Sequence, residues 1–411
     1  MVKVTLAHYR GRLLKGIETI PAIEVLVADA AGSILAEDLV ADGPIPTTSV
    51  ATCDGYAVVA SDIAQATEKT PVSLPVSHDV AWGARGPGRH VPKAAARIVS
   101  GAPIPTGADA IVPVGATDAG VAKVSIAAAV KAGANIRTQA TDAQAGQVLI
   151  PAGTRLGARQ LGLAAGLGRR RLSVHPTPRV VVLSVGNELS DPGSKLRDAG
   201  VPESNSHTLA VMVAEAGARA FRVGAVQDDR PLVRTTIEDQ VVRADLILTT
   251  GGLSGATGDT LPEVLADLGT FDVVQVAMMP GRRHGYGAID SGGTGPSIPV
   301  IALPGHPAAA IVAFELYVRP VLRTMSAYPE KDRHRFRAKA TDGWESPPGV
   351  LQAVPVQVTR PRMRDATVTP IGNPWQPSLV DIVRANGLAI IPEDTTEVGA
   401  EDSVLYLLWD D

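Results

Sequence analysis

The order of apolar and polar segments predicts a multidomain α/β protein. At its centre is a doubly wound, largely parallel sheet, with β-rich regions before and after it. Three observations carry this expectation. Between residues 176 and 327, strand-like and helix-like segments alternate, the pattern of a parallel sheet flanked by helices. Strand candidates there, such as Val180–Leu183 and Leu246–Leu248, are continuous apolar runs, which marks strands buried on both faces. Residues 46–146 and 330–411 instead carry short Val/Ile runs punctuated by Gly and Pro, as small β domains do.

Taken in order, residues 1–45 read as a helix followed by a polar approach segment. Strands are expected at Gly55–Ala60, Val72–Val76, Arg97–Pro105 and Ala110–Val114. A helical pattern, Ala158–Leu167, runs into Arg169, Arg170 and Arg171; cations suit the negative end of a helix. The central region then reads strand Arg179–Ser184, helix Ser206–Ala216, strand Ala220–Val226, helix Pro231–Val242, strand Asp245–Thr250 and helix Thr260–Leu268. It continues with strand Asp272–Ala277, a polar turn at Ser291–Ser297, strand Pro299–Leu303 and helix Pro307–Met325. Beyond residue 330 only Leu379–Arg384 reads as helix. A length of 411 residues fits roughly two to four domains. The expected boundaries are 1–45 with 147–175, then 46–146, 176–327 and 330–411.

Composition excludes several functions. Aromatics are 3% of the chain and the net charge is -4, so neither base stacking nor a basic surface for nucleic acid is expected. The eight His have no zinc-type spacing. Cys53 is the single cysteine, which precludes an internal disulfide, and without a neighbouring His it reads as a buried, inert thiol. The start of the chain has no signal-type apolar core, and Ala308–Val321 is interrupted by Glu315, Arg319 and Pro320. The expectation is a cytoplasmic protein without membrane insertion.

Ligands of open α/β sheets bind beyond the carboxyl ends of the strands. The expected strands end here in Ser184–Leu189, in Asp228-Asp229, in Thr249–Asp259 and in Leu303–Pro307. Carboxylates and glycines thus converge on one edge. Gly251, Gly252 and their successors let backbone N–H groups approach an anion. Asp259 reads either as a ligand for a hard cation or as the N-cap of the following helix. One of Asp228 and Asp229 is expected to cap the helix at Pro231. Ser204, Asn205 and Ser206 resemble an N-cap cluster, and Asp54-Gly55 a turn. No Gly-x-Ser-x-Gly elbow is present.

Together these segments resemble the MoeA-type molybdopterin molybdenumtransferases, which include the gephyrin E domain. The resemblance runs along almost the whole chain. It is carried by Cys53–Val58, Ser100–Ala110, Gly133–Arg137 with Asp142 and Gly146, Ser184–Leu189, Ser204-Asn205, Asp228-Asp229, Gly251–Asp259, Pro280-Gly281 and Leu303–Pro307. Each segment alone is weak; the ordered series is specific.

The resemblance implies four domains: an elongated helical one, a β-rich insertion, a molybdopterin-binding α/β domain and a C-terminal β domain. It implies a homodimer in which the region carrying Asp54 and Arg137 faces the partner's α/β domain. The implied reaction inserts molybdate into adenylylated molybdopterin with Mg2+ or another divalent cation, releasing AMP. It implies catalytic roles for Asp54, Glu188, Asp228 and Asp259, the last three as metal ligands. Substrate contacts are implied for Asn135, Arg137, Asp142, Ser184, Gly186, Ser204, Asn205, Gly251, Gly252, Ser254, Arg282, Pro304 and Gly305. The chain departs from the family pattern at Thr141, Val185, Asn187, Gln275, Met279 and His306. Two activities therefore stay open: the transferase, and a gephyrin-like scaffold for a partner peptide.

Overall fold

The structure, a computed structural model, describes residues 3–81, 83, 88–196, 200–255, 259–292, 295–360 and 365–409. These form two compact units, residues 38–152 and the remainder of the chain on either side.

The smaller unit is β-rich, as its sequence predicts. Its five-stranded sheet contains Gly55–Val58, Val72–Val80, Ala95–Ile98, Ala110–Pro113 and Lys123–Ile126. Gly55–Val58 lies between Ala95–Ile98 and Ala110–Pro113 and is buried at every position. Gly55 is required there, because a Cβ would strike the Val112 carbonyl of the neighbouring strand. Tyr56, Val58, Ile63, Val112 and Val124 fill one side of the sheet.

The larger unit is organised by a seven-stranded sheet. Its strands are β1 (Lys3–Val4), β2 (Arg179–Val185), β3 (Arg219–Val226), β4 (Leu246–Gly251), β5 (Gly269–Val276), β6 (Arg283–Ile289) and β7 (Ile298–Leu303). Their spatial order is β1-β5-β6-β7-β4-β2-β3. The pairs β2–β3, β2–β4, β4–β7 and β1–β5 are parallel; β6 runs antiparallel to both neighbours. Helices α1 (Leu6–Lys15), α2 (Asn205–Glu215), α3 (Arg230–Val241), α4 (Leu261–Leu268), α5 (Pro307–Ala313) and α6 (Arg319–Met325) complete the α/β layer. Val180 and Val182 of β2 join the core with α1, α2, α5 and α6, whereas Val181 and Leu183 join the core with α3 and α4. This alternation is what a strand buried on both faces requires.

Three expectations need correction. Strand β6 was not foreseen. Its sequence contains Gly285 and Gly287, and a Cβ at either would collide with Phe271 or with the Thr270 backbone of β5. The glycines mark close approach within a sheet. Accordingly Ser291–Ser297 joins β6 to β7, and its residues 293–294 lie outside the described set. Second, the arginine triplet does not close a helix. Ala158–Gly166 has no basic residue in its last turn, and Arg171 opens the strand Arg171–His175, which pairs with Ile23–Leu26. Third, Pro307–Met325 is interrupted by a π-helical turn, Phe314–Val318, between α5 and α6.

The C-terminal residues form strands Phe336–Ala340, Leu351–Thr359, Thr367–Pro370, Gly387–Ile391 and Ser403–Leu408. Leu351–Thr359 pairs with both Thr367–Pro370 and Gly387–Ile391, so the five strands close on themselves. Closure removes exposed edges. The helix Leu379–Arg384 lies where the sequence predicts it. A short strand, Met278–Met279, pairs with Leu351 and Gln352 and ties this barrel to the end of β5.

Candidate functional site

The parallel strands β2, β4 and β7 deliver three loops to one edge. Gly251 ends β4 with φ at +83°, and a Cβ there would collide with the Val185 carbonyl at the end of β2. Only glycine combines this conformation with that approach. Gly305 follows β7, and its Cα side meets Gly251. Glu188, Gly251, Gly252, Leu253, Ser254, Arg282, Arg283, Pro304 and Gly305 line a cavity of about 340 Å³. The structure thus brings together seven of the site residues expected from sequence, and adds Leu253 and Arg283.

A hydrogen-bond lattice fixes these loops. Asn205 Nδ2 donates to Thr250 Oγ1 at 2.9 Å and to the Gly305 carbonyl at 2.7 Å. Thr250 Oγ1 donates to the Pro304 carbonyl at 2.9 Å. One amide and one hydroxyl therefore join the ends of β4 and β7 to the start of α2. The Arg283 guanidinium donates to the Ser254 carbonyl, which pins the glycine-rich loop to β6.

Glu203 was missed in the sequence. It is 1% exposed, yet it carries a carboxylate. Oε1 accepts from Ser184 Oγ at 2.7 Å and from the Ser206 N–H at 2.7 Å; Oε2 accepts from Ser206 Oγ at 2.6 Å. A buried acceptor of this kind is stable only when fully bonded. The Ser204–Ser206 cluster therefore does not cap α2 through its own side chains: Ser204 makes no capping bond, and Glu203 takes the donor instead. Ser184 is buried with its hydroxyl on Glu203 and does not line the cavity. The sequence signal was a Glu immediately before Ser-Asn-Ser, which is also how an ordinary loop reads.

The carboxylates have separate partners. Asp229 caps α3 by accepting from the Leu232 N–H at 3.0 Å. Asp228 Oδ1 accepts from the Thr260 N–H at 2.9 Å and from Thr260 Oγ1 at 2.5 Å. The N-cap position of α4 is Thr260, so the capping reading of Asp259 does not hold. Asp259 turns back to accept from Ser254 Oγ at 3.0 Å and from the Gly255 N–H; residues 256–258 of that loop lie outside the described set. Glu188 is exposed and folds over Gly186. Gly186 itself lines a neighbouring cavity with Asp191 and Lys195. Among the described residues no three His, Cys, Asp or Glu side chains cluster as a metal cage.

Asp54, Asn135, Arg137 and Asp142 belong to the smaller unit. Asp54 Oδ1 accepts from the Ser100 N–H at 2.7 Å. Asn135 holds φ at +56° and donates to the Ile111 carbonyl at 2.9 Å. Arg137 pairs with Asp142. Cys53 is only partly buried, not fully as expected; that burial and the adjacent Asp54 carboxylate both push its thiol upward, in keeping with an unreactive cysteine.

Similarity to known proteins agrees with this architecture. Residues 4–168 match the MoeA N-terminal region (domain I and II), residues 181–324 a probable molybdopterin binding domain, and residues 337–409 the MoeA C-terminal region (domain IV). Molybdopterin molybdenumtransferase 2 of Mycobacterium tuberculosis is 38% identical over 384 residues, covering 92% of this chain and 93% of the relative. The chain belongs to the molybdopterin molybdenumtransferase family. The Bacillus subtilis molybdopterin molybdenumtransferase is 30% identical over 390 residues, 93% of this chain and 89% of the relative. A crystal structure of the molybdopterin biosynthesis MoeA protein from Pyrococcus horikosii superimposes with a TM-score of 0.80 at 27% identity, covering all of both chains.

The departures from the family pattern have definite surroundings. Asn187 Oδ1 accepts from the Asp228 N–H at 3.0 Å. Val185 is 1% exposed and packs in the core beside β4. Gln275 is exposed, between Lys3 and Arg283 in register. Met279 is 8% exposed, and with His306 it lines a second cavity. Among the described residues no helix is long and apolar enough to cross a membrane.

Proposed function

We propose that this chain inserts molybdate into adenylylated molybdopterin, with release of AMP. The observation that carries the reading is the strand-edge cavity, where backbone glycines, two arginines and Glu188 meet in a chain of this family. The Gly251–Gly255 backbone and the guanidinium groups of Arg282 and Arg283 suit the phosphates of the substrate. Asn205, Pro304 and Gly305 hold the cavity's shape, because their mutual bonds leave the loop ends few alternatives.

Asp54, Glu188, Asp228 and Asp259 are the proposed catalytic carboxylates, with Asn135, Arg137 and Asp142 as further substrate contacts. Glu188, Asp228 and Asp259 are the oxygen donors proposed for a divalent cation. Mg2+ uses one or two carboxylates and completes its shell with substrate phosphate and water; Glu188 lines the cavity, whereas Asp228 is held by Thr260 and Asp259 by Ser254. When bound, the cation would polarise the bond to the adenylyl group. Protein residues hold the phosphates, orient the carboxylates through Thr260 and Ser254, and keep the loops in place.

The chain is further proposed to act as a homodimer. The deciding experiment is complementation of a bacterial strain lacking its own molybdenumtransferase, paired with cofactor formation from adenylylated molybdopterin in vitro. Restored molybdoenzyme activity and AMP release are expected. A folded, expressed protein that binds substrate but yields no product would overturn the reading.

A further inference from the structure

A second cavity, of about 360 Å³, adjoins the strand-edge cavity and shares Arg282 with it. Its other walls include Met279, Gly281, His306, Trp375 and Gln376. Gly281 forms part of the wall: its φ is +81°, and a Cβ would lie 2.8 Å from Pro304 and 2.9 Å from Ala309. Trp375 is 41% exposed, in a chain that holds only four tryptophans.

The loop presenting this indole is held from several sides. Asn373 Oδ1 accepts from the Trp375 N–H at 3.0 Å, and the Asn373 carbonyl accepts from the Gln376 N–H at 3.1 Å. Gln352 is fully buried and donates to the Pro374 carbonyl at 3.0 Å. Gln352 lies in register with Met279, so one residue braces both sides of the cavity. An aromatic ring presented by a braced loop and exposed at a concavity is a stacking platform.

The lining selects among planar ligands. Among the described residues it contains no carboxylate, so these offer no anionic acceptor to the amide and amino donors along the edge of a pterin. Adenine makes fewer such demands and stacks through its face. Arg282 opens on both cavities and can carry the attached phosphate towards Gly251–Ser254. We propose that the cavity at Trp375 is a stacking subsite for the adenine ring of the adenylyl group. This assignment rests on the adenylylated substrate proposed above.

The test uses the full chain and AMP, measured by calorimetry and by tryptophan fluorescence. AMP should quench part of the emission of the unmodified protein. Trp375→Leu should weaken AMP binding roughly tenfold or more, while Trp375→Phe, which keeps a ring, should retain most of it. Because the indole is exposed, both variants should melt with the parent. Neopterin serves as the second probe, and Trp375→Leu should leave its binding unchanged. Unaltered AMP affinity in Trp375→Leu, with cofactor formation intact, overturns the subsite while the proposed reaction stands. Loss of neopterin but not AMP binding overturns the choice of adenine. An unmodified protein that neither binds AMP nor forms cofactor overturns the reaction and the subsite together.

Discussion

Asp259 and Glu203 are both acidic residues at the strand edge, and their surroundings predict opposite consequences of mutation. Asp259 accepts bonds from its own loop and does not cap α4. Asp259→Asn keeps an acceptor of the same shape and removes the charge. Turnover should fall on the order of a hundredfold, with the cation requirement blunted and the melting temperature nearly unchanged. Adenylate cleavage measured with and without Mg2+ checks this; full activity would remove Asp259 from the machinery. Glu203 sits in the interior with three donors aimed at it. Glu203→Ala strands two hydroxyls and an N–H away from water, and should cost about 3 kcal/mol or more by denaturant unfolding. Ser184→Ala removes one donor and should cost only about 1 kcal/mol. Equal losses from the two substitutions would show that the carboxylate is not the hub of the network.

At the scale of elements, β6 carries a titratable group into the core. His284 is fully buried, with Nδ1 at 2.7 Å from the Tyr317 hydroxyl and its ring against Tyr9. Burial pushes its pKa down to about 4, below the roughly 6.5 of an unfolded histidine. The unfolded chain therefore binds the extra proton first as pH falls. This contribution to stability is complete above about pH 6.5 and declines towards pH 4, by about 3 kcal/mol in all. Unfolding free energies at several pH values should show the slope, and His284→Phe should flatten it. An unchanged slope in that variant would assign the dependence to other groups.

The same strand shows where sequence reading reached its limit. β2, β4 and β7 were legible because a strand buried on both faces must be apolar throughout. In β6 the glycines answer to a neighbour distant in sequence, and local pattern cannot report that neighbour. The Gly251–Gly255 loop was legible as a glycine-rich connection between strand and helix, where a purely structural turn and an anion-binding backbone read alike. Glu203 and the Trp375 loop were not. Their significance comes from burial and from exposure respectively, and both are tertiary properties.

For the whole molecule, the homodimer proposal makes a quantitative claim. Light scattering in dilute solution should return about twice the 42.5 kDa chain mass; a clean monomer would end the proposal. Mass alone does not show that subunits cooperate, so a second measurement is needed. Asp54 and Asp259 are far apart in sequence, and the family resemblance assigns them to one reaction. If each site draws Asp54 from one subunit and Asp259 from the other, Asp54→Asn and Asp259→Asn protomers are complementary. In a mixed dimer one site carries both substitutions and its twin carries neither. Statistical mixing by co-expression should then restore about a quarter of parental turnover, far above the residual level of either variant alone. If both carboxylates of a site came from one chain, every site in every mixture would lack one of them. Cofactor formation by the purified mixture would then stay at the level of the single variants, even with a dimeric mass.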